Sequence, residues 1–182
     1  IPNLIVFAPL NEIQLRNIMY TAQLGLDQPI AIRYPRGRGV LLDWEKPYTK
    51  LEIGMSFELK KGTKIAVLSS GPIGNMISEI IAEVDKSTSI GHYDFPFIKP
   101  LDQRGLSRIF KSYEHIITIE DGCITGGFGS AVLEFANAED INTNCKIFGI
   151  PDAFIPHGPV EELHKIAGLD KITVKSYIEK KL

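Results

Sequence analysis

Short apolar runs of strand type alternate along this chain with stretches in which apolar residues recur every three or four positions. The first run, Leu4 to Ala8, stops at Pro9, and Asn11 stands where it can cap a helix, with Gln14 three residues on. Leu15, Ile18, Met19 and Ala22 then fall at i, i+3, i+4 and i+7, the stripe of a helix ending near Gly25. Pro29 to Arg33 reads as a second strand. A strand, helix, strand unit of this length is a βαβ crossover, which implies a parallel pair. Beyond Arg36 the period is lost through Trp44 and Pro47, and residues 41–53 read as a linker.

From residue 54 the same alternation resumes. Lys64 to Ser69 is a β-rich run, and Gly71-Pro72 opens a helix in which Ile73, Met76, Ile77, Ile80, Ile81 and Val84 keep the 3.6 period. Ser89 to Phe95 is the next strand. A turn through Pro100 leads to Asp102 as a cap, and Leu106, Ile109, Phe110 and Tyr113 form a second stripe. His115 to Ile119 is a further strand, Gly126-Gly127-Phe128-Gly129-Ser130 opens a helix carrying Val132 and Phe135, and Lys146 to Ile150 is the last strand. Helices over Pro159 to Gly168 and Asp170 to Leu182 close the chain. Residues 54–182 thus read as one three-layer α/β domain, a mostly parallel sheet with helices on both faces.

Composition narrows the function classes. At 182 residues and 20.2 kDa the chain suits one domain plus part of another. With 44% hydrophobic and 23% charged residues it can bury a core and is not a disordered tail. No apolar run approaches the roughly 18–20 residues of a membrane span, and the formal net charge of -2 shows no basic excess for nucleic acid. Cys123 and Cys145 are too few for a disulfide framework or a C-x-x-C site, which points to a reduced, cytoplasmic protein. His157 and His164 are seven apart, outside metal-ligand spacing. The opening Ile1-Pro2-Asn3-Leu4 carries neither an initiator Met nor a basic leader, and the chain is expected to start within a longer protein.

Four groups of residues are candidates for chemistry. Arg33-Tyr34-Pro35-Arg36-Gly37-Arg38 follows the C-terminal end of an inferred parallel strand, the edge at which open α/β sheets bind ligands. An arginine there either forks onto a phosphate or is solvated and paired with nearby acids; Arg33, continuing the strand, is the most structural of the three. The glycines at 126–130 either cradle an anion at a helix N-terminus or permit close packing of helix on sheet, and they match no G-x-G-x-x-G pattern. Glu120-Asp121 would serve acid–base chemistry only if both carboxylates converged, whereas neighbours on a strand point apart. Cys123 reads as a small buried hydrophobe or, with a histidine, a thiol nucleophile.

Four segments, taken in order, carry a resemblance. They are Ala31-Ile32-Arg33-Tyr34-Pro35-Arg36-Gly37, Phe97-Ile98-Lys99-Pro100-Leu101-Asp102, Ile119-Glu120-Asp121 with Gly126-Gly127-Phe128-Gly129-Ser130, and Gly149-Ile150-Pro151-Asp152-Ala153-Phe154-Ile155-Pro156-His157-Gly158. Together they resemble the 1-deoxy-D-xylulose-5-phosphate synthases, thiamine-diphosphate enzymes of the transketolase class. The resemblance covers essentially the whole chain. It implies that residues 1–40 are the C-terminal remnant of a pyrimidine-binding domain, 41–53 a linker and 54–182 a transketolase C-terminal domain. It further implies a homodimeric enzyme that joins pyruvate to glyceraldehyde 3-phosphate with loss of CO2, using thiamine diphosphate and Mg2+. The catalytic, cofactor and metal residues would lie outside this chain, leaving a fragment inactive by itself. One contact carries over: Arg36 matches a residue that binds the acceptor's phosphate. Two departures are Leu10-Asn11-Glu12-Ile13 in place of the usual Ser-Asp-Glu-Asn, and Gly122 where an Asn or His often follows the acidic pair. Relatives within the class, transketolases and 2-oxo acid dehydrogenase β-subunits, are the alternatives, as is a stand-alone assembly module.

Overall fold

The computed structural model describes residues 1–37, 39, 41 and 43–182; Arg38, and Leu42 of the expected linker, lie outside the described residues. The expected crossover forms: β1 (Ile5–Phe7) and β2 (Ile30–Ile32) run parallel, in register from Ile5 with Ile30 to Phe7 with Ile32, and α1 (Glu12–Gln23) joins them. Asn11 caps α1 by accepting the Gln14 N–H at 3.0 Å. Ile18 is buried as its stripe requires, but Met19 is half-exposed. The buried face of α1 is rotated toward Asn17 and Thr21 because an extended segment lies against them: Asn17 accepts the Thr49 N–H at 3.0 Å and Thr21 the Leu51 N–H at 2.9 Å. Tyr48 from the same segment stacks on Tyr20, and the Arg16 guanidinium lies over the Trp44 and Tyr48 rings. The stretch expected as a linker is therefore fastened along α1 wherever it is described.

The main sheet contains β3 (Phe57–Lys60), β4 (Ile65–Ser70), β5 (Ile90–Asp94), β7 (His115–Cys123) and β8 (Cys145–Ile150) in the order β3-β5-β4-β7-β8. All neighbours are parallel except β3, which runs antiparallel to β5. Side chains alternate along the strands and so feed two cores. Ile65, Val67 and Ile119 pack with α2 (Ile73–Glu83) and α6 (Lys171–Glu179), while Ala66, Leu68 and Ile116 pack with α3 (Gln103–Ser112) and α4 (Phe128–Ala138). This is the three-layer arrangement read from the sequence. A further helix, α5 (Val160–Ala167), lies after β8, and no helix among the described residues is long and apolar enough to cross a membrane.

Sequence periodicity did not reveal two strands. β3 lies at a sheet edge, with Leu59 exposed, so its residues lack the apolar alternation of a half-buried strand. β6 (Phe97–Lys99) has three residues and follows β5 through Phe95 and Pro96, yet it leaves the main sheet and pairs antiparallel with β1. The Ala8 N–H donates to the Pro96 carbonyl at 2.7 Å, and the Phe7 and Phe97 rings meet edge to face with centroids 4.7 Å apart. Ile5, Phe7, Ile18, Leu51 and Phe97 form a third core, shared by residues from both halves of the chain. Asp102 ties β3 to α3, accepting the Gly105 N–H at 2.7 Å and both the N–H and hydroxyl of Ser56.

Because Phe97 is buried at this junction, truncating it leaves a void on both sides. Phe97→Ala is expected to lower unfolding free energy by about 3–5 kcal/mol, with proteolysis first appearing within residues 1–53. Urea denaturation with peptide mapping measures both, and a loss confined to residues 54–182 would contradict the shared core.

Candidate functional site

The C-terminal ends of β2 and β7 meet at one edge of the molecule. Arg33 directly follows β2, and its Nη2 donates to the backbone carbonyl of Asp121 on β7. The Asp121 carboxylate faces the other way, 3.6 Å from Nε2 of His164 on α5. Arg33 is thus held by the structure, as its place in the strand suggested. Three residues on, Arg36 is exposed in the loop, with no ion-pair partner among the described residues. Beside this loop, Tyr34, Pro35 and Gly37 join Pro9, Leu10 and Asn11 of the β1–α1 turn and Pro72 and Asn75 of α2 around a cleft of about 490 Å³. Arg36 is not one of the cleft's lining residues.

The glycine cluster resolves in favour of packing. β7 runs past Ile119 and carries Glu120 to the start of α4, where its buried carboxylate accepts the Phe128 N–H at 3.0 Å and the Gly129 N–H at 2.9 Å. The chain's own anion therefore occupies the position that a bound phosphate would take at this helix N-terminus. A Cβ on Gly129 would lie 2.6 Å from Thr118 Oγ1 and 2.7 Å from Ile147, and one on Gly127 would lie 2.1 Å from the Cys123 carbonyl. Glycine is needed here so that helix and sheet can approach. A diphosphate does not fit a cradle already filled by Glu120, and no group of three His, Cys, Asp or Glu side chains among the described residues is placed to hold a metal ion.

Glu120 and Asp121 point to opposite sides of β7, as strand geometry demands, and do not converge. Cys123 is exposed, which corrects its reading as a small buried hydrophobe: it pairs with Ile150 at the far end of both strands, where the cores no longer cover it. Cys145 is half-buried, and burial pushes its thiol up to about 11.

A second polar group, absent from the sequence reading, lies under the β1–α1 turn. His92 is buried between the Ser69 and Ser78 hydroxyls, at 2.9 and 3.3 Å, and burial lowers its pKa to about 4. Asp94, two residues on along the same face, is fully buried, and Gln14 of α1 donates to its Oδ2. The signal available beforehand was the sequence His92-Tyr93-Asp94 inside an otherwise apolar strand.

A parallel-dominated three-layer domain, stitched by one strand to a second α/β unit and presenting a basic loop at the shared edge, defines the class of domain present. The family described as "Transketolase, C-terminal domain" matches residues 56–174, and the chain belongs to it. Over 173 residues the chain is 49% identical to the 1-deoxy-D-xylulose-5-phosphate synthase of Bacteroides thetaiotaomicron, covering 94% of this chain and 27% of that protein. It is 46% identical over 181 residues to the synthase of Parabacteroides distasonis, covering 99% and 29%. The chain therefore spans less than a third of these curated relatives. Among solved structures, a split-gene transketolase described as an inactive β4 tetramer superposes with a TM-score of 0.83 at 26% identity, over all of this chain and 58% of that one. The transketolase of Campylobacter jejuni shares the fold, with a TM-score of 0.69 at 18% identity.

Glu120→Ala leaves the two buried N–H groups of α4 without an acceptor and should cost about 2–4 kcal/mol of stability. Glu120→Gln, which keeps one carbonyl oxygen as an acceptor, should cost clearly less. Urea unfolding of the two variants side by side measures the difference, and equal losses would mean that the one bond the amide oxygen retains contributes nothing.

Proposed function

We propose that this chain is the C-terminal part of a 1-deoxy-D-xylulose-5-phosphate synthase, a cytoplasmic homodimer that condenses pyruvate with glyceraldehyde 3-phosphate and releases CO2. The observation that carries the reading is the 49% identity, across nearly the whole chain, to a protein of that name. In this reading residues 1–40 end the pyrimidine-binding domain, 41–53 connect, and 54–182 are the C-terminal domain. Thiamine diphosphate and Mg2+ supply the carbanion chemistry of the whole enzyme, and their ligands lie outside this chain.

Within the chain the proposed substrate contact is Arg36, for the acceptor's phosphate. Two features support it. One N–H of the Arg33 guanidinium is already given to the Asp121 carbonyl, which leaves it less free to fork onto a ligand, whereas Arg36 is exposed at the sheet edge with no ion-pair partner among the described residues. Gly37 next to it has a φ of 143°, a conformation natural to glycine, and a Cβ there would meet nothing. The backbone beside Arg36 is thus open to approach.

In the complete enzyme, Arg36→Ala should remove charge-assisted bonds worth roughly 1.5–3 kcal/mol, a loss of about 10- to 150-fold in kcat/KM for glyceraldehyde 3-phosphate. Unphosphorylated glyceraldehyde should lose little, because the deleted bonds were never made to it. Equal impairment of both acceptors would refute the phosphate role. The isolated chain, titrated calorimetrically with thiamine diphosphate and Mg2+, should show no tight binding; magnesium-dependent tight binding would overturn the placing of the cofactor residues elsewhere.

A further inference from the structure

Asp94 closes β5 where the chain turns through Pro96 into β6, directly beneath the β1–α1 turn. Its carboxyl is wholly buried. Oδ2 accepts a hydrogen bond from Gln14 Nε2, and the Gln14 carbonyl in turn accepts the Leu10 N–H at 2.7 Å. The Leu10 carbonyl accepts from Asn75 Nδ2 of α2 at 3.0 Å. One continuous chain of polar contacts therefore joins the end of β5, the start of α1 and the start of α2. The other carboxyl oxygen, Oδ1, is buried with no hydrogen-bond partner among the described residues.

An ionised carboxylate can accept several donors, and here it has one. Charge in such a place is far more costly than the neutral acid. Apart from the Gln14 amide, no group among the described residues donates a bond to the Asp94 carboxyl or pairs with it as a cation. β3 sets Phe57 opposite it, and β4 sets Ser69, whose hydroxyl already meets His92. His92 itself is held neutral by burial, with its pKa lowered to about 4. The cations of the surrounding elements are engaged elsewhere: Arg16 of α1 bonds the Trp44 carbonyl at 2.6 Å, Lys60 of β3 the Ile90 carbonyl at 2.9 Å and Lys99 of β6 the Ile1 carbonyl at 2.7 Å. Glu12 of α1, Glu58 of β3 and Glu79 of α2 carry the same sign as an ionised Asp94.

We propose that Asp94 and Gln14 form a proton-operated latch, which holds the β1–α1 unit on the main sheet while the Asp94 carboxyl is neutral and loosens it when the carboxyl ionises. Burial pushes the Asp94 pKa up to about 7, against the lowering effect of the Gln14 bond. The folded value lies above that of a solvated aspartate, so latch stability is complete below about pH 4, declines as pH rises, and levels off above about pH 7. The window ends near neutrality. The latch is independent of the role proposed for Arg36, although the loop that bears Arg36 belongs to the unit that loosens.

The test is hydrogen exchange on the 182-residue chain from pH 5 to pH 8, expressed as protection factors so that the intrinsic pH dependence of exchange cancels. Protection of the α1 amides should fall by up to about 100-fold across that range, while the central amides of β4 and β7 hold theirs. Asp94→Asn should make α1 protection flat with pH. Gln14→Ala, which removes the one donor to the ion among the described residues, should extend the decline to higher pH. A flat wild-type profile, an unchanged slope in Asp94→Asn, or an equal decline in β4 and β7 would each overturn the latch. A carbon-13 titration of the Asp94 carboxyl in the unmodified chain decides the matter if the Asn variant fails to fold: a midpoint near 7 supports the latch, and one in the ordinary carboxylate range refutes it.

Discussion

Two strands and one helix cannot bury enough apolar surface to be stable alone, and the structure answers that constraint with three residues borrowed from the other half of the chain. β6 leaves the sequence of strands that builds the main sheet and fills the free edge of β1, bringing Phe97 onto Phe7. The edge that carries Arg33 and Arg36 is rooted in this small sheet. The β6 pairing sets the height of β1 and β2 relative to the main sheet, and hence brings Arg33, at the end of β2, within reach of the Asp121 carbonyl at the end of β7. The Arg33 N–H also donates to the Phe7 carbonyl at 2.8 Å, so the loop carrying Arg36 is rooted through both the backbone and the side chain of Arg33.

A recurring device holds the strand ends together. Three buried acids, Asp94, Asp102 and Glu120, stand at the ends of strands or just before helices, and each binds groups from a different element. Glu120 and Asp102 accept bonds from backbone N–H groups at helix starts, where the helix dipole favours negative charge. Among the described residues Asp94 meets no such helix end, only the Gln14 amide, and burial pushes its pKa up to about 7 with little to oppose it. The same kind of side chain thus meets helix N–H groups in two places and a lone side-chain amide in a third.

The glycine cluster shows how one local pattern serves two meanings. A strand, a glycine run and a helix can hold a phosphate or permit close packing, and nothing within Gly126-Gly127-Phe128-Gly129-Ser130 chooses between them. The choice belongs to Glu120, six residues earlier, whose carboxylate reaches the helix start because β7 continues beyond Ile119. The resemblance to the synthases was legible in motifs of the same length, because segments such as Arg-Tyr-Pro-Arg-Gly are specific as strings even where their geometry is not, whereas family membership rests on the match across residues 56–174.

What the residues determined by themselves was the set of elements with a strong period: the βαβ unit, the central parallel strands, the helix over Ile73 to Glu83, and the caps at Asn11 and Asp102. In each, hydrophobic spacing and a local side-chain bond act within a few residues, so sequence distance and physical distance coincide. The candidate arginines and their place after a strand were legible for the same reason. Only the tertiary structure decided the rest. The edge strands β3 and β6, the fastening of residues 43–53 along α1, the exposure of Met19 and Cys123, and the burial of His92 and Asp94 all depend on which surface lies opposite. That surface is supplied by residues tens of positions away, and a local pattern carries no record of it.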